Sequence, residues 1–263
     1  MPSVSMELTF KHKTALVTGA GRGIGRAIAM QLAAEGLTVI CVSRTEANSK
    51  STAEAIQKAG GTAHALAVDV ADKAAVQVAS EALLKEFETI DIIVNNAGYT
   101  WDSTIQKMTD EQFQAMIDVH LTAPFRILRA AAEPIRIFSK REAQEGREVF
   151  RKVVNISSIA GLYGNAGQVS YSSAKAALVG MTRTLCKEWG RYKVNVNCVA
   201  FGLIATRLTQ AIEKEQATID VDGREIKVGV QHQLLDTMAQ LIPLGRAGTP
   251  DEAADAVYLF CAR

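Results

Sequence analysis

A chain of 263 residues, 48% of them hydrophobic, can bury one sizeable core, and its length is that of a large single α/β domain, expected over 1–263. A formal net charge of +1 provides no electrostatic footprint for nucleic acid or a membrane surface, and no run of eighteen apolar residues is present to span a bilayer. Cys41, Cys186, Cys198 and Cys261 are scattered through apolar or helical stretches, with no C-x-x-C and no histidine pair at metal spacing, which predicts reduced thiols of a cytoplasmic protein and no metal site.

From the amino end, MPSVSMELTFKHK lacks an apolar h-region and is not arginine-rich, so no secretory or transit signal is expected. The run ALVT (15–18) predicts a strand leading into TGAGRGIG, Thr18 to Gly25, and a helical pattern follows at once over about 23–35. In such a turn Gly19, Gly23 and Gly25 let the backbone approach a pyrophosphate, which then lies at the positive end of the helix beside Arg22 and Ile24. A glycine-rich turn alone is a weak motif; its place between the first strand and the first helix strengthens it. TVICVS (38–43) predicts the second strand, and it ends in Ser43-Arg44-Thr45 with no carboxylate to accept from a ribose 2′-hydroxyl. Arg44 can clamp a 2′-phosphate instead, and Arg22 can reach it from the other side, which selects NADP(H) as cofactor.

Further along, helical patterns over about 46–59 and 72–87 alternate with the strand candidates AHALAV (63–68) and IDIIVN (90–95). A long helical pattern over about 110–138 carries His120, and the charge-dense SKREAQEGREVFRK (139–152) after it predicts a solvated helix extension and loop. KVVNIS (152–157) and VNVNCV (194–199) are the last two strand candidates, with helices over about 171–190 and 250–262. Short β-branched strands, apolar on both faces and alternating with helices, predict a doubly wound parallel sheet, Rossmann-like, of about six strands with helices on both sides. The segment 207–243 interrupts this rhythm as an insertion, and within it TIDVDGREIKV alternates Ile219, Val221, Ile226 and Val228 around Asp222-Gly223, a strong hairpin signal.

TGAGRGIG, Asp69-Val70, NNAG at 95–98, Ser158, Tyr171-x-x-x-Lys175 and the G-x-I-x-T segment from Gly202 to Thr206 follow one another across residues 14–262. In that order and spacing the chain resembles the short-chain dehydrogenase/reductases, and among them the β-ketoacyl-[acyl carrier protein] reductases. The resemblance implies that Asp69 and Val70 flank the adenine, that Asn96, Ala97 and Gly98 line the cofactor channel, and that Ile204 and Thr206, after Gly202, hold the nicotinamide carboxamide. It also implies a homodimer or homotetramer and makes 207–243 the substrate lid.

The chemistry can be argued from the residues as well. Hydride transfer to a ketone leaves an alkoxide that needs a proton, so a general acid must stand beside the carbonyl. A tyrosine of ordinary pKa, about 10, exchanges that proton poorly in the oxidising direction. Lys175 lies one helical turn after Tyr171; its charge would favour phenolate, and its amine can hydrogen-bond the nicotinamide ribose. Ser158, at the end of the fifth strand, would donate to the carbonyl oxygen as charge develops. Ser157 has the wrong spacing, and no lysine follows Tyr163 by one turn. The implied function is NADPH-dependent reduction of a 3-oxoacyl-type ketone to a secondary alcohol. The alternatives are a reductase or dehydrogenase of free ketones, steroids or sugar alcohols, and a catalytically silent NADP-binding protein, against which the intact trio argues.

Several positions depart from the family pattern. His120 stands where many members have an asparagine that supports a water-linked proton relay; histidine can hold a water and titrate near neutrality, or be a satisfied structural residue. Phe201 replaces a proline and packs either on the nicotinamide or on the protein. Arg126 and Arg129, three residues apart on one helical face, either receive an acidic acyl carrier protein or are ordinary exposed charges. The family's seventh strand has no counterpart before the end at Phe260-Cys261-Ala262-Arg263. An open edge on the sixth strand then calls for a cover by a partner or loop, or marks a shortened chain, and leaves the assembly state open.

Overall fold

Strands covered on both faces must point apolar side chains both ways, and the central ones here do, while Thr62–Ala67 at the sheet edge is mostly exposed. The computed structural model describes residues 10, 12–87, 89–210, 218–221, 223–229 and 232–262. The first half comprises β1 (Thr14–Thr18), α1 (Gly23–Ala34), β2 (Thr38–Ser43), α2 (Glu46–Lys58), β3 (Thr62–Ala67), α3 (Lys73–Phe87) and β4 (Ile92–Asn95). Then come α4 (Asp110–Ile117), α5 (Ala123–Gln144), β5 (Arg151–Ser158), α6 (Ala160–Tyr163), α7 (Val169–Trp189) and β6 (Val194–Phe201). The chain continues through β7 (Thr218–Val221), β8 (Arg224–Lys227), α8 (His232–Leu241) and α9 (Pro250–Cys261).

Six parallel strands form one sheet in the order β3-β2-β1-β4-β5-β6, the doubly wound arrangement expected from the alternation. Ala15, Val17, Val39, Cys41, Ile92, Val94, Val154 and Ile156 bury themselves in one core with α1 and α9. Their neighbours Leu16, Ile40, Val42, Ile93 and Val153 turn to the other face, where Met116, Leu128 and Ile135 meet them. The period-two alternation thus feeds two cores at once. Phe201 is partly buried against the first of them, so it packs on the protein. β6 lies at one edge of the sheet, and the loop beyond it is what finds a partner: Ala205 N–H donates to the Gly248 carbonyl (2.8 Å) and Gly248 N–H to the Leu203 carbonyl (3.0 Å).

Three features differ from the sequence reading. The helix expected over 110–138 is broken by a π-helical turn, Asp118–Thr122, between α4 and α5. A π-turn shifts the facing of the side chains that follow it, and His120 ends up buried. The charge run 139–152 is not wholly solvated: Glu142 is 6% and Arg151 2% exposed, and they join in a two-pronged ion pair of 2.9 and 2.7 Å. Asp91 lies beside them, 4.0 Å from Arg151 Nε, and accepts from the Thr14 N–H at 3.0 Å. This cluster clamps α5 to the amino ends of β1, β4 and β5. The insertion 207–243 contains α8 as well as the expected hairpin.

In the hairpin β7 and β8 pair antiparallel, with Val221 opposite Arg224; Asp222 lies outside the described residues. Val221, Ile226 and Val228 are buried. Arg224 pairs with Glu111 of α4 at 2.6 Å, and the Asp220 carbonyl accepts from Arg44, so the hairpin reaches both the start of α4 and the end of β2. No helix among the described residues is long and apolar enough to cross a membrane.

Candidate active site

β1 and β4 are neighbours whose following helices lie on opposite faces, which opens a crevice at the carboxyl ends of the strands. Gly19 stands at this switch point with φ +66°; a Cβ there would come within 2.8 Å of the Ala97 Cα. Only glycine allows the turn after β1 to approach Ala97 so closely. Thr18 Oγ1 accepts from the N–H groups of both Asn96 and Ala97 (each 3.0 Å), while Asn96 Nδ2 donates to the Thr18 carbonyl (3.0 Å). The Asn96 side chain therefore braces β1 against β4, and Ala97 and Gly98 form the crevice wall beyond it. Gly23 faces Thr206, whose Cγ2 would lie 3.6 Å from a Cβ at that position. Gly25 is buried at the start of α1, and Ile24 packs against the first core.

At the β2 end, Ser43 Oγ donates to the Thr45 carbonyl (3.0 Å), and Arg22 donates through Nε and Nη2 to Asn48 Oδ1 (3.2 and 3.1 Å). Asp69 closes a turn by accepting from the Ala71 N–H (2.8 Å), with Val70 buried beside it. On the far side, Gly202 leads from β6 to Ile204, which bridges to Gly248, and to Thr206, which opens a short 3₁₀ turn, Arg207–Thr209. The sequence-derived cofactor positions thus line one crevice. Its glycine turn, the acid-free first turn of α1 and the guanidiniums of Arg22 and Arg44 suit a long, phosphate-bearing dinucleotide. Arg126 is committed within the protein, donating to the Ala71 carbonyl, and Arg129 lies over the Phe125 ring at 5.0 Å.

Ser158 ends β5, while Tyr171 and Lys175 share one face of α7. The Tyr171 hydroxyl stands beside Ser158, and Lys175 Nζ sits 5.6 Å from the centre of the tyrosine ring. Burial pushes the Tyr171 hydroxyl above its usual pKa of 10, the nearby Ser158 hydroxyl pulls it down, and the Asp102 charge pushes it up. The net direction is upward, opposite to the effect expected of Lys175. The Lys175 amine is itself buried, donates to the Ile156 carbonyl at 2.6 Å, and is lowered by that burial to about 8.

His120 packs edge-on to Tyr171, with ring centres 4.9 Å apart at 90°. Its Nε2 lies 2.7 Å from the Tyr99 carbonyl, which can only accept, so Nε2 carries the proton. Nδ1 is then a buried acceptor with no hydrogen-bond partner among the described residues. Burial first, and the Lys175 charge second, hold the imidazole well below its ordinary pKa of 6.5. The histidine is neutral and does not titrate near neutrality. Its ring fills the space above Gly98, where a Cβ would come within 2.2 Å of Cε1.

Several supporting residues escaped the sequence reading. Ser157, set aside for its spacing, donates to the Lys175 carbonyl at 2.9 Å and anchors α7. Asn95 donates to Asn155 (2.8 Å), which donates to Thr182 (2.9 Å), a buried polar chain from β4 through β5 to α7. Gln168 donates to Asp102 at 2.7 Å across the rim near Tyr171. Polar residues inside the runs IDIIVN and KVVNIS were the available signal, because an asparagine in a buried strand needs partners.

A doubly wound sheet with a glycine turn at its switch point and a serine, tyrosine and lysine at its carboxyl end defines a class of nucleotide-binding oxidoreductase. The short chain dehydrogenase family matches residues 13–217, and the chain belongs to it. Membership implies a nicotinamide cofactor. The chain is 37% identical over 253 residues to the short-chain reductase protein NovJ of Streptomyces niveus, covering 96% of this chain and 88% of that one. It is 36% identical over 257 residues to the 3-oxoacyl-[acyl-carrier-protein] reductase FabG of Aquifex aeolicus (97% and 92% covered). With the FabG of Escherichia coli it shares 35% identity over 250 residues (95% and 90% covered).

Proposed function

We propose that this protein reduces a ketone of the 3-oxoacyl thioester type to a secondary alcohol with NADPH, and that Tyr171 supplies the proton. The observation that carries this reading is the half-buried Tyr171, whose hydroxyl stands beside Ser158 and is raised above its ordinary pKa. A phenol so placed stays protonated at neutral pH, which is the form that reduction requires of a general acid. The Ser158 hydroxyl donates to the substrate oxygen and stabilises its developing charge. Lys175, one turn away, supplies positive charge beside the tyrosine and donors towards the cofactor ribose. His120 holds a water through Nδ1 and positions the tyrosine ring.

When bound, the cofactor supplies the hydride. Gly19, Gly23, Ile24 and Gly25 would hold its diphosphate, Ser43 and Arg44 its 2′-phosphate, with Arg22 reaching that phosphate from the glycine turn, and Asp69 and Val70 its adenine. Asn96, Ala97 and Gly98 would line its path to Tyr171 and Lys175, with Gly202, Ile204 and Thr206 at the carboxamide. The unit is one dinucleotide-binding and catalytic domain over 1–263, with 207–243 as substrate lid, acting in the cytoplasm. The exposed Phe125 and Ile137 on α5 support a homodimer or homotetramer, since apolar surface of this kind is what subunit contacts cover. An acyl carrier protein as the thioester's bearer follows from the names of the FabG relatives. The hairpin and α8 in the lid favour a second reading, in which a free ketone, a steroid or a sugar alcohol is the substrate.

The test is a panel of 3-oxoacyl thioesters, simple ketones and alcohols, followed by nicotinamide absorbance with both cofactors. Oxidation of NADPH by a 3-oxoacyl thioester, faster than by free ketones, is expected. A preference for NADH refutes the Arg22 and Arg44 assignment, and tight NADPH binding without turnover of any carbonyl marks a silent protein. The pH profile gives a separate check. Lys175 is charged below about 8 and neutral above it, so reduction falls as pH rises through that value. A kcat/KM that stays flat from about pH 6 to about pH 10 overturns the role given to its charge.

A further inference from the structure

We infer that Arg207 is a third cationic contact for the bound dinucleotide, gripping its diphosphate from the lid side of the crevice. The inference rests on the dinucleotide reading above and adds a residue that lies outside the family motifs. Arg207 follows Thr206, whose methyl group lies against Gly23, so the strand of chain carrying Arg207 meets the turn carrying Arg22 across the mouth of the crevice. The backbone there is fixed by the 3₁₀ turn Arg207–Thr209, in which the Thr206 N–H donates to Thr209 Oγ1 at 2.9 Å.

The guanidinium on this fixed stem is exposed and has no hydrogen bond or ion pair among the described residues. Other arginines nearby are occupied: Arg22 on Asn48, Arg26 on Ser51, Arg44 on the Asp220 carbonyl and Arg246 on Glu252. The Arg22 charge, after burial, depresses the Arg207 pKa, so the two cations feel each other with no acid between them. Like charges held close on fixed backbone cost free energy unless an anion joins them. The first turn of α1 carries no acidic side chain either, and its N-cap, Arg22, makes no side-chain cap hydrogen bond, so its positive end adds to the same field. A diphosphate is the anion that fits, because it offers several oxygens to planar guanidiniums and to backbone N–H groups together. The 2′-phosphate belongs at the end of β2, with Arg44.

The experiment measures dissociation constants by calorimetry for NADPH, NADH, ADP-ribose and 2′-AMP, on the wild-type protein, Arg207→Met and Arg207→Lys. ADP-ribose carries the diphosphate without a 2′-phosphate, and 2′-AMP the reverse. Arg207→Met is expected to weaken NADPH, NADH and ADP-ribose alike, by about tenfold, and to leave 2′-AMP within about twofold. Arg207→Lys, which keeps the charge but loses the fork, should fall between the two. If Arg207→Met folds poorly, the lysine variant carries the same comparison. Unchanged ADP-ribose binding overturns the assignment, and so does a loss shared by 2′-AMP or confined to NADPH. A wild-type protein that prefers NADH refutes the NADP(H) reading alone, since the ADP-ribose arm still tests Arg207.

Discussion

Tyr171→Phe is expected to lower kcat about a thousandfold while leaving NADPH affinity within about threefold of wild type. The phenylalanine keeps the packing against His120 and removes only the hydroxyl beside Ser158. Tyr163 cannot substitute, since it is 86% exposed and no lysine follows it by one turn. His120→Ala is expected to cost far less, about tenfold, because a neutral histidine with one nitrogen fixed on the Tyr99 carbonyl positions groups and exchanges no proton. Steady-state kinetics of the two variants, with cofactor affinity measured by fluorescence, decide the matter. Equal losses in the two variants refute the division of roles between the tyrosine and the histidine.

Glu142→Ala is expected to destabilise the fold by about 3–5 kcal/mol, because it leaves the Arg151 guanidinium buried without its carboxylate. In a chain of this size that lowers Tm by about 10 °C. Thermal unfolding followed by circular dichroism reads the shift, and a drop under about 2 °C refutes the inference. Replacing both partners, as in Glu142→Leu with Arg151→Met, should recover much of the loss, since the buried charge goes with its partner. The pair sits at the amino end of β5 and Ser158 at its carboxyl end, so kcat of the folded fraction should stay near wild type.

Much of the fold was legible because it is written at short range. The apolar runs 15–18, 38–43, 63–68, 90–95, 152–157 and 194–199 each became a strand, with boundaries shifted by no more than two residues. Their alternation with helices left the doubly wound sheet as the natural packing. The two-residue Asp222-Gly223 spacing likewise set the register of the hairpin. Of the site, Ser158, Tyr171 and Lys175 stood out because their spacing follows a strand end and a helical turn.

Other features escaped because they depend on residues far away in the chain. Burial of Glu142 with Arg151 needs Asp91 and the amino ends of β1 and β4, and a local charge count could only suggest a solvated run. A π-turn has no simple apolar period, so the helix over 110–138 looked continuous. Asn95 and Asn155 gained meaning only when β4, β5 and α7 were side by side.

By itself, then, the sequence determined the order of strands and helices, the glycine turn and the serine, tyrosine and lysine, all of which local periodicity and spacing encode. Tertiary structure alone decided that Tyr171 is raised and His120 neutral, that the hairpin reaches Arg44, and that Arg207 feels the charge of Arg22. Those properties arise from desolvation and from charges brought together across the sheet, and no stretch of chain carries them until the whole has packed.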